Sequence, residues 1–316
     1  MTLRNLGKSG LRISLVGLGC NNFGGRMDLE NSTKVIHKAI DAGITLFDTA
    51  DAYGNQGGSE TVIGQVLGER RKDIVLATKF GLPMDDGEKK GASRRYIMSA
   101  VEASLRRLKT DWIDLYQVHR HDPLTPIEET LETLTDLVRA GKVRYFGCSN
   151  FSAAQMTEAQ WAAKYHGLHG FVSAQDEYSL LKRDLDAENL PMMERYGLGL
   201  LPYFPLASGL LTGKHKRGAL AAGSRLTTPA FTGRFTTDAN FDIVEKLEAF
   251  AKVHGHTLLE LAFSWLAARP TVGSIIAGAT KPEQIDANVK ATGWVLSAED
   301  MAEVDKITKE RRGSAA

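Results

Sequence analysis

Cysteine is scarce: Cys20 and Cys148 are the only two in 316 residues. Two cannot build a disulfide framework, and their spacing matches no metal-ligand pattern. Net charge is nearly absent, with 39 Lys+Arg against 38 Asp+Glu and a formal +1. That balance argues against a broad nucleic-acid surface, although one local basic pocket is invisible in the sum. No apolar run reaches the ~18 residues of a membrane span. Met1-Thr2-Leu3-Arg4-Asn5 lacks the apolar core of a secretion signal. Missing motifs exclude as much. There is no serine nucleophile elbow, zinc cluster or P-loop. No Gly-x-Gly-x-x-Gly follows the first strand, because Gly17-Leu18-Gly19 runs on into Cys20-Asn21-Asn22, which disfavours a doubly wound sheet. No linker divides the chain. The expectation is one domain over residues 1–316, cytoplasmic and metal-free, with no nucleic-acid or membrane partner; oligomeric state is left open.

What is present is a short apolar run followed by a helical run, repeated. Strands are expected at Ile13–Gly17, Ile44–Phe47, Ile74–Thr78, Trp112–Val118, Val143–Gly147, Phe171–Ala174, Leu198–Pro202 and Ser274–Ala277. They are apolar throughout rather than alternating, as parallel strands buried on both faces are. Between them, Ile97, Val101, Leu105 and Leu108 keep helical spacing, as do Ile127, Leu131, Leu134 and Val138. Thr125-Pro126-Ile127-Glu128 and Ser152 with Gln155 read as capping boxes, and Asn31 and Gly43 bracket an earlier helix. Eight such units suit a (β/α)8 TIM barrel. The additions are an N-terminal cap segment around Leu6–Arg12, a long loop after strand seven from Ala207 to about Asp242, and a C-terminal helix from Ser297. A loop of that length in a compact domain is usually a lid or a binding loop.

In such a barrel the residues just past each strand converge on one face. Asp48 and Tyr53 follow the second strand candidate, Lys79 the third and His119 the fourth. Each has an ordinary structural use on its own: a turn cap, a half-buried aromatic, a solvated charge, a rim histidine. Together they are equipment for proton transfer. A phenol has an unperturbed pKa of about 10; an adjacent ammonium favours phenolate, and a carboxylate keeps that ammonium charged. A nearby histidine donates to a carbonyl oxygen or relays a proton.

These residues resemble the aldo-keto reductase superfamily. Phe47-Asp48-Thr49-Ala50-Asp51-Ala52-Tyr53-Gly54, Ala77-Thr78-Lys79-Phe80-Gly81, the run from Ser104 to His119, and Gly141 to Phe151 are similar to successive family motifs, with coverage from Leu6 to about Asn288. The short first loop and long Ala207–Asp242 loop are similar to the bacterial and potassium-channel-subunit branches. The resemblance implies a barrel reductase without a Rossmann domain, with Tyr53 as general acid–base, Lys79 and Asp48 tuning it, and His119 orienting a substrate carbonyl. It implies that Ser149, Asn150 and Gln175 hold a nicotinamide carboxamide and that Tyr203 stacks on the ring. Pro205, Leu206, Ala207, Ser208, Gly209 and Leu210 cross the pyrophosphate on this reading, with Phe204, after the stacking tyrosine, also counted to the cofactor site. Gly278, Thr280, Gln284 and Asn288 clasp the adenosine end, and Arg225 lies over the adenine or its phosphate. Gly19, Cys20, Asn21, Asp48 and Lys214 complete the expected cofactor set. Lys281 at a helix start opposes the helix dipole unless an anion compensates, so NADPH is expected, with NADH as the alternative.

Asn22, Phe23, Phe80 and Arg120 are the expected substrate contacts, with Tyr178, Phe231 and Phe235 as further aromatic candidates. That mixture suits a polar small-molecule carbonyl: a sugar aldehyde, a ketone or an oxygenated natural product. The implied activity is NAD(P)H-dependent reduction of aldehydes or ketones to alcohols. Two rivals are a cofactor-binding regulatory subunit, which the absence of a long extension before Leu3 disfavours, and a Schiff-base lyase using Lys79.

Overall fold

A computed structural model describes residues 1–87 and 89–309. The chain opens with an antiparallel hairpin, β1 (Leu3–Asn5) and β2 (Arg12–Ser14), in register Leu3 to Ser14. Eight parallel strands follow: β3 (Val16–Gly19), β4 (Leu46–Asp48), β5 (Val75–Phe80), β6 (Ile113–Val118), β7 (Val143–Ser149), β8 (Ser173–Glu177), β9 (Gly199–Tyr203) and β10 (Ile275–Gly278). They pair in chain order, and β10 returns to β3. Between β9 and β10 the ring is closed by the Leu200–Val272 bridge, with the Leu200 N–H donating to the Thr271 carbonyl at 2.7 Å. The expected (β/α)8 barrel is therefore present.

Helices α1 (Leu29–Asp41), α2 (Tyr53–Val66), α3 (Arg94–Leu108), α4 (Ile127–Arg139), α5 (Ala153–His166) and α6 (Asn189–Tyr196) each follow one strand. The long insertion after β9 carries α7 (Pro229–Phe235), followed by α8 (Asp238–Val253) and α9 (Leu258–Ala267); α10 (Pro282–Lys290) follows β10. The C-terminal helix is α11 (Ala298–Lys309), packed on α8. Residues 310–316, included in the single-domain expectation, lie outside the described residues.

Side chains along each strand alternate between the barrel interior and the helical shell. Leu46, Ala77, Leu115, Leu201 and Ile276 fill the interior, whereas Phe47, Leu76, Phe80, Tyr116 and Phe146 pack outward under the helices. Leu6 and Ile13 plug the interior from the hairpin side. The first expected strand, Ile13–Gly17, is thus two pieces. Ile13 belongs to the hairpin that floors the barrel, and the barrel strand begins only at Val16.

Two caps also differ from expectation. Asp28, not Asn31, caps α1, accepting from the Asn31 N–H at 2.8 Å. The Thr125–Glu128 capping box does not form, because the Thr125 hydroxyl donates to Asp122 at 2.7 Å instead. The Ser152–Gln155 box is present.

Gly64 marks the closest approach of α2 to α3: a Cβ there would lie 2.2 Å from the Arg107 carbonyl oxygen. Helix propensity alone makes Gly64→Ala favourable by roughly 1 kcal/mol, but the backbone contact outweighs it. Chemical denaturation should find the variant destabilised by about 1–3 kcal/mol; a stabilised variant would refute this packing.

Candidate active site

The alternation that fills the barrel floor with apolar groups turns polar at its open end. Continuing the interior series upward, β4 presents Asp48, β5 presents Lys79, and β6 presents Gln117 and then His119. In the same way β7 presents Ser149, β8 presents Gln175 and β9 presents Tyr203. Except for Lys79 and Gln117, which lie just beneath, these residues line a cleft of about 820 Å³ at the C-terminal mouth of the barrel.

Lys79 is fully buried beneath it. Its Nζ donates to Asp48 Oδ1 and Oδ2 at 2.9 and 2.8 Å and to the Thr49 carbonyl at 2.9 Å, and lies 3.5 Å from the Tyr53 hydroxyl. Asp48 Oδ1 also accepts from Gln175 Nε2 at 2.7 Å and Gln117 Nε2 at 3.3 Å. Burial pulls the Lys79 ammonium down, but Asp48 and Tyr53 more than restore it, so it stays above the ordinary lysine value. Burial pushes the Tyr53 phenol up, and the pull of Lys79 does not reverse this. The expectation that the ammonium would shift the phenol toward phenolate therefore fails: desolvation wins, and Tyr53 stands protonated. The His119 ring meets the Tyr53 ring edge-on, centroids 5.7 Å apart. Burial, then Lys79 and Arg120, lower its pKa to about 3, and Nδ1 has no partner. His119 is thus a neutral hydrogen-bond donor, not a proton relay at neutral pH.

Beside this set, Ser149 Oγ donates to the Gln175 carbonyl at 2.7 Å, and Asn150 Nδ2 donates to Ser149 Oγ at 2.9 Å and to the His119 carbonyl at 3.2 Å. The Tyr203 hydroxyl donates to Asn150 Oδ1 at 2.8 Å. Asn150 holds a left-handed backbone (φ 59°), and its N–H donates to the buried Asp176 at 3.0 Å.

The cleft runs on past Gly19, Cys20, Asn21, Asn22, Phe204, Pro205, Leu206, Gly209, Lys214, Arg225, Gly278, Thr280, Gln284 and Asn288. Arg225 donates to Asn22 Oδ1 at 2.6 Å, tying the long loop across to the end of β3. At the start of α10, Gln284 Oε1 accepts from the N–H groups of Thr280 and Lys281 at 2.7 and 3.1 Å. Two amides at this helix start are therefore held by this chain's own glutamine.

Several expected contacts lie elsewhere. Phe80 follows Lys79 and so points outward, stacking on Tyr116 at 4.7 Å. Phe23 is fully buried in the shell, and Tyr178 is buried against Trp265, its hydroxyl donating to Asp186 at 2.6 Å. Ala207 and Leu210 turn into the core, because the left-handed Ser208 and Gly209 between them face the cleft. Phe231 and Phe235 brace Phe204 edge-on rather than lining the cleft. Ser208, in the stretch expected to cross the pyrophosphate, lines it too, and Arg26, Leu82 and Ser224 line it without having been expected. Gln117 was also missed, although strand parity points to it.

The donor set fits a nicotinamide dinucleotide. Ser208 Oγ and Ser224 Oγ are buried without a partner along the cleft, flanked by Lys214, Arg225 and Lys281. Among the described residues no group of histidines, cysteines or acids is arranged to hold a metal, and no helix is long and apolar enough to cross a membrane.

Residues 15–309 match the aldo/keto reductase family. The chain is 37% identical over 318 residues to the aldo-keto reductase YhdN of Bacillus subtilis (strain 168), covering 97% of this chain and 93% of that protein. It is 38% identical over 299 residues to a probable voltage-gated potassium channel subunit beta of Arabidopsis thaliana, covering 92% and 91%. It is 34% identical over 320 residues to an L-glyceraldehyde 3-phosphate reductase of Escherichia coli O157:H7, covering 97% and 92%.

Behind Tyr53, on the outer face, Asp51 is buried close to the fully buried Glu60, with Oδ1 unpartnered. Burial, then Glu60, push its carboxyl up to about 7. In the unfolded chain it ionises near the usual value of about 4. The folded value is the raised one, so its contribution to stability is lost as pH climbs from about 4 to about 7. Asp51→Asn removes that dependence. Its melting temperature should gain on the parent by about 2 °C or more between pH 5 and pH 8; an equal difference at both pH values would overturn the assignment.

Proposed function

This chain belongs to the aldo/keto reductase family, and from that premise we propose that it reduces aldehydes or ketones to alcohols with a nicotinamide dinucleotide, NADPH in preference to NADH. The observation that carries the reading is the Tyr53 hydroxyl, 3.5 Å from a buried Lys79 that is itself locked on Asp48, at the floor of a long cleft. A bound reduced nicotinamide supplies the hydride. The protein's part is to orient the carbonyl and deliver a proton to its oxygen.

His119, neutral, donates a hydrogen bond to the carbonyl oxygen without placing a second charge beside Lys79. Tyr53, protonated, gives its proton to the oxygen as negative charge develops there. Even a phenol that burial pushes above its ordinary value is more acidic than an alcohol, so this transfer runs downhill. Lys79 then stabilises the phenolate, and Asp48 keeps the ammonium aimed at it. Ser149, Asn150 and Gln175 are the groups to hold the carboxamide, Tyr203 to stack on the ring, and Ser208, Ser224, Lys214 and Arg225 to meet the phosphates. The regulatory-subunit alternative draws on the Arabidopsis relative's name; a complete proton-transfer set opening on the cleft favours turnover.

Tyr53→Phe should lower kcat by about 10²–10⁴ while the cofactor dissociation constant, read by fluorescence titration, stays nearly the same. Parental turnover in that variant would refute the acid assignment. Gln284→Arg removes the acceptor that occupies the Thr280 and Lys281 amides and adds a cation there. The ratio of NADPH to NADH affinity should rise about tenfold, the scale of one charge-assisted hydrogen bond. An unmoved ratio would mean that the 2′-phosphate is read elsewhere.

A further inference from the structure

The cleft holds more positive charge than the reduction chemistry uses. Arg26, Arg120, Lys214, Arg225 and Lys281 line it, and among the described residues the only lining carboxylate, Asp48, is already paired with Lys79. Lys214, Arg225 and Lys281 are assigned above to the cofactor. Arg26 and Arg120 are left over, and both flank the reacting end. Arg120 directly follows His119. Arg26 sits on the loop after β3, where Gly24 and Gly25 lie against Gly58 and Gly54, immediately beyond Tyr53. Both arginines are exposed, and among the described residues neither has an ion pair or hydrogen-bond partner. The aromatic wall expected beside them is absent, since Phe23, Phe80 and Tyr178 are buried in the shell. Leu82 is the apolar side chain that remains next to this end.

Resting on the reductase reading, we propose that Arg26 and Arg120 form an oxyanion-recognising pair, and that the preferred substrates are small aldehydes carrying a phosphate or carboxylate group. Guanidinium forks match both groups in geometry and charge, and two of them at one cleft mouth raise the local concentration of anions. The charge of Arg120 already acts at the His119 ring, one of the causes that hold that imidazole neutral. An anionic group bound there offsets this field beside the carbonyl.

The test compares kcat/KM with NADPH for two matched pairs: glyceraldehyde 3-phosphate against glyceraldehyde, and succinic semialdehyde against butanal. The anionic member of at least one pair should win by about tenfold at low salt, with the advantage shrinking several-fold in 0.3 M KCl, as screening of about 6 Å range requires. Whichever pair shows it names the oxyanion. Arg26→Gln and Arg120→Gln should each cut the anionic-to-neutral ratio about fivefold or more, chiefly through KM, and Arg120→Lys should restore part of it. A ratio near one in the parent, or one unmoved by both glutamine variants, overturns the proposal while leaving the reductase standing. If none of the four aldehydes oxidises NADPH or NADH, the reductase reading itself falls and takes this inference with it.

Discussion

A fully buried ammonium clamped on a buried carboxylate governs the open end of this barrel. Lys79 and Asp48 are withdrawn from water at a cost of several kcal/mol per ion, which their attraction offsets only when the remaining hydrogen-bonding capacity is also satisfied. Here it is: Lys79 finds the Thr49 carbonyl, and Asp48 accepts from Gln175 and Gln117. A well-packed apolar pair would serve stability as well or better. What the ion pair adds is a fixed positive charge under the Tyr53 hydroxyl, with no freedom to swing away. Gln175 is bound into the same cluster, so the group expected to hold the carboxamide and the ammonium beneath Tyr53 share one anchor.

Above that pair the reacting groups are neutral. Desolvation keeps the Tyr53 phenol protonated and the His119 imidazole uncharged, by the same mechanism acting on an acid and a base. The floor therefore offers two uncharged donors and no net charge, while the walls carry unpaired cations. In such a site, negative charge appearing on a substrate oxygen meets preorganised donors that need little rearrangement. Those wall cations attract any anionic group that enters the cleft. Chemistry and recognition are thus separated along the cleft.

Much of this was legible because a barrel converts chain position into spatial position. The residue after each apolar run lands on one rim, so Asp48, Lys79, His119, Ser149, Gln175 and Tyr203 could be gathered without any contact information. The misreadings on the strands share one cause. Period two sends the neighbour of every inward residue outward, and Phe80 was placed in the cleft when its parity puts it under the helices. The same rule, applied one step lower on β6, would have found Gln117. Arg26 had no such signal. It stands in a loop, and only the contact of Gly24 and Gly25 with the turn after Tyr53 carries it to the site. The failed Thr125–Glu128 cap and the self-capped α10 show a related limit: which of several nearby acceptors wins a hydrogen bond is a tertiary matter.

The rim is also where the backbone departs from easy conformations. Non-glycine residues with positive φ are Asn55, Gln56, Asp85, Asn150, Phe204, Ala207 and Ser208 on the loops beyond the strand ends, with Lys109 alone at the opposite end, closing α3. Each costs on the order of 1 kcal/mol or more and persists only when its surroundings over-determine it. The bracing is visible. Asp176 holds the Asn150 N–H, Phe231 and Phe235 press edge-on against Phe204, and Thr49 bonds Ser59 at 2.8 Å below the turn that carries Gly54 to Gly57. Tyr53 begins that left-handed turn, so its hydroxyl is delivered to the cleft by a segment that cannot relax into an ordinary helix start. A regular barrel with apolar layers beneath supplies the stability that this rim expends. That division explains why the local sequence rules hold on the strands and fail at the loops that carry the chemistry.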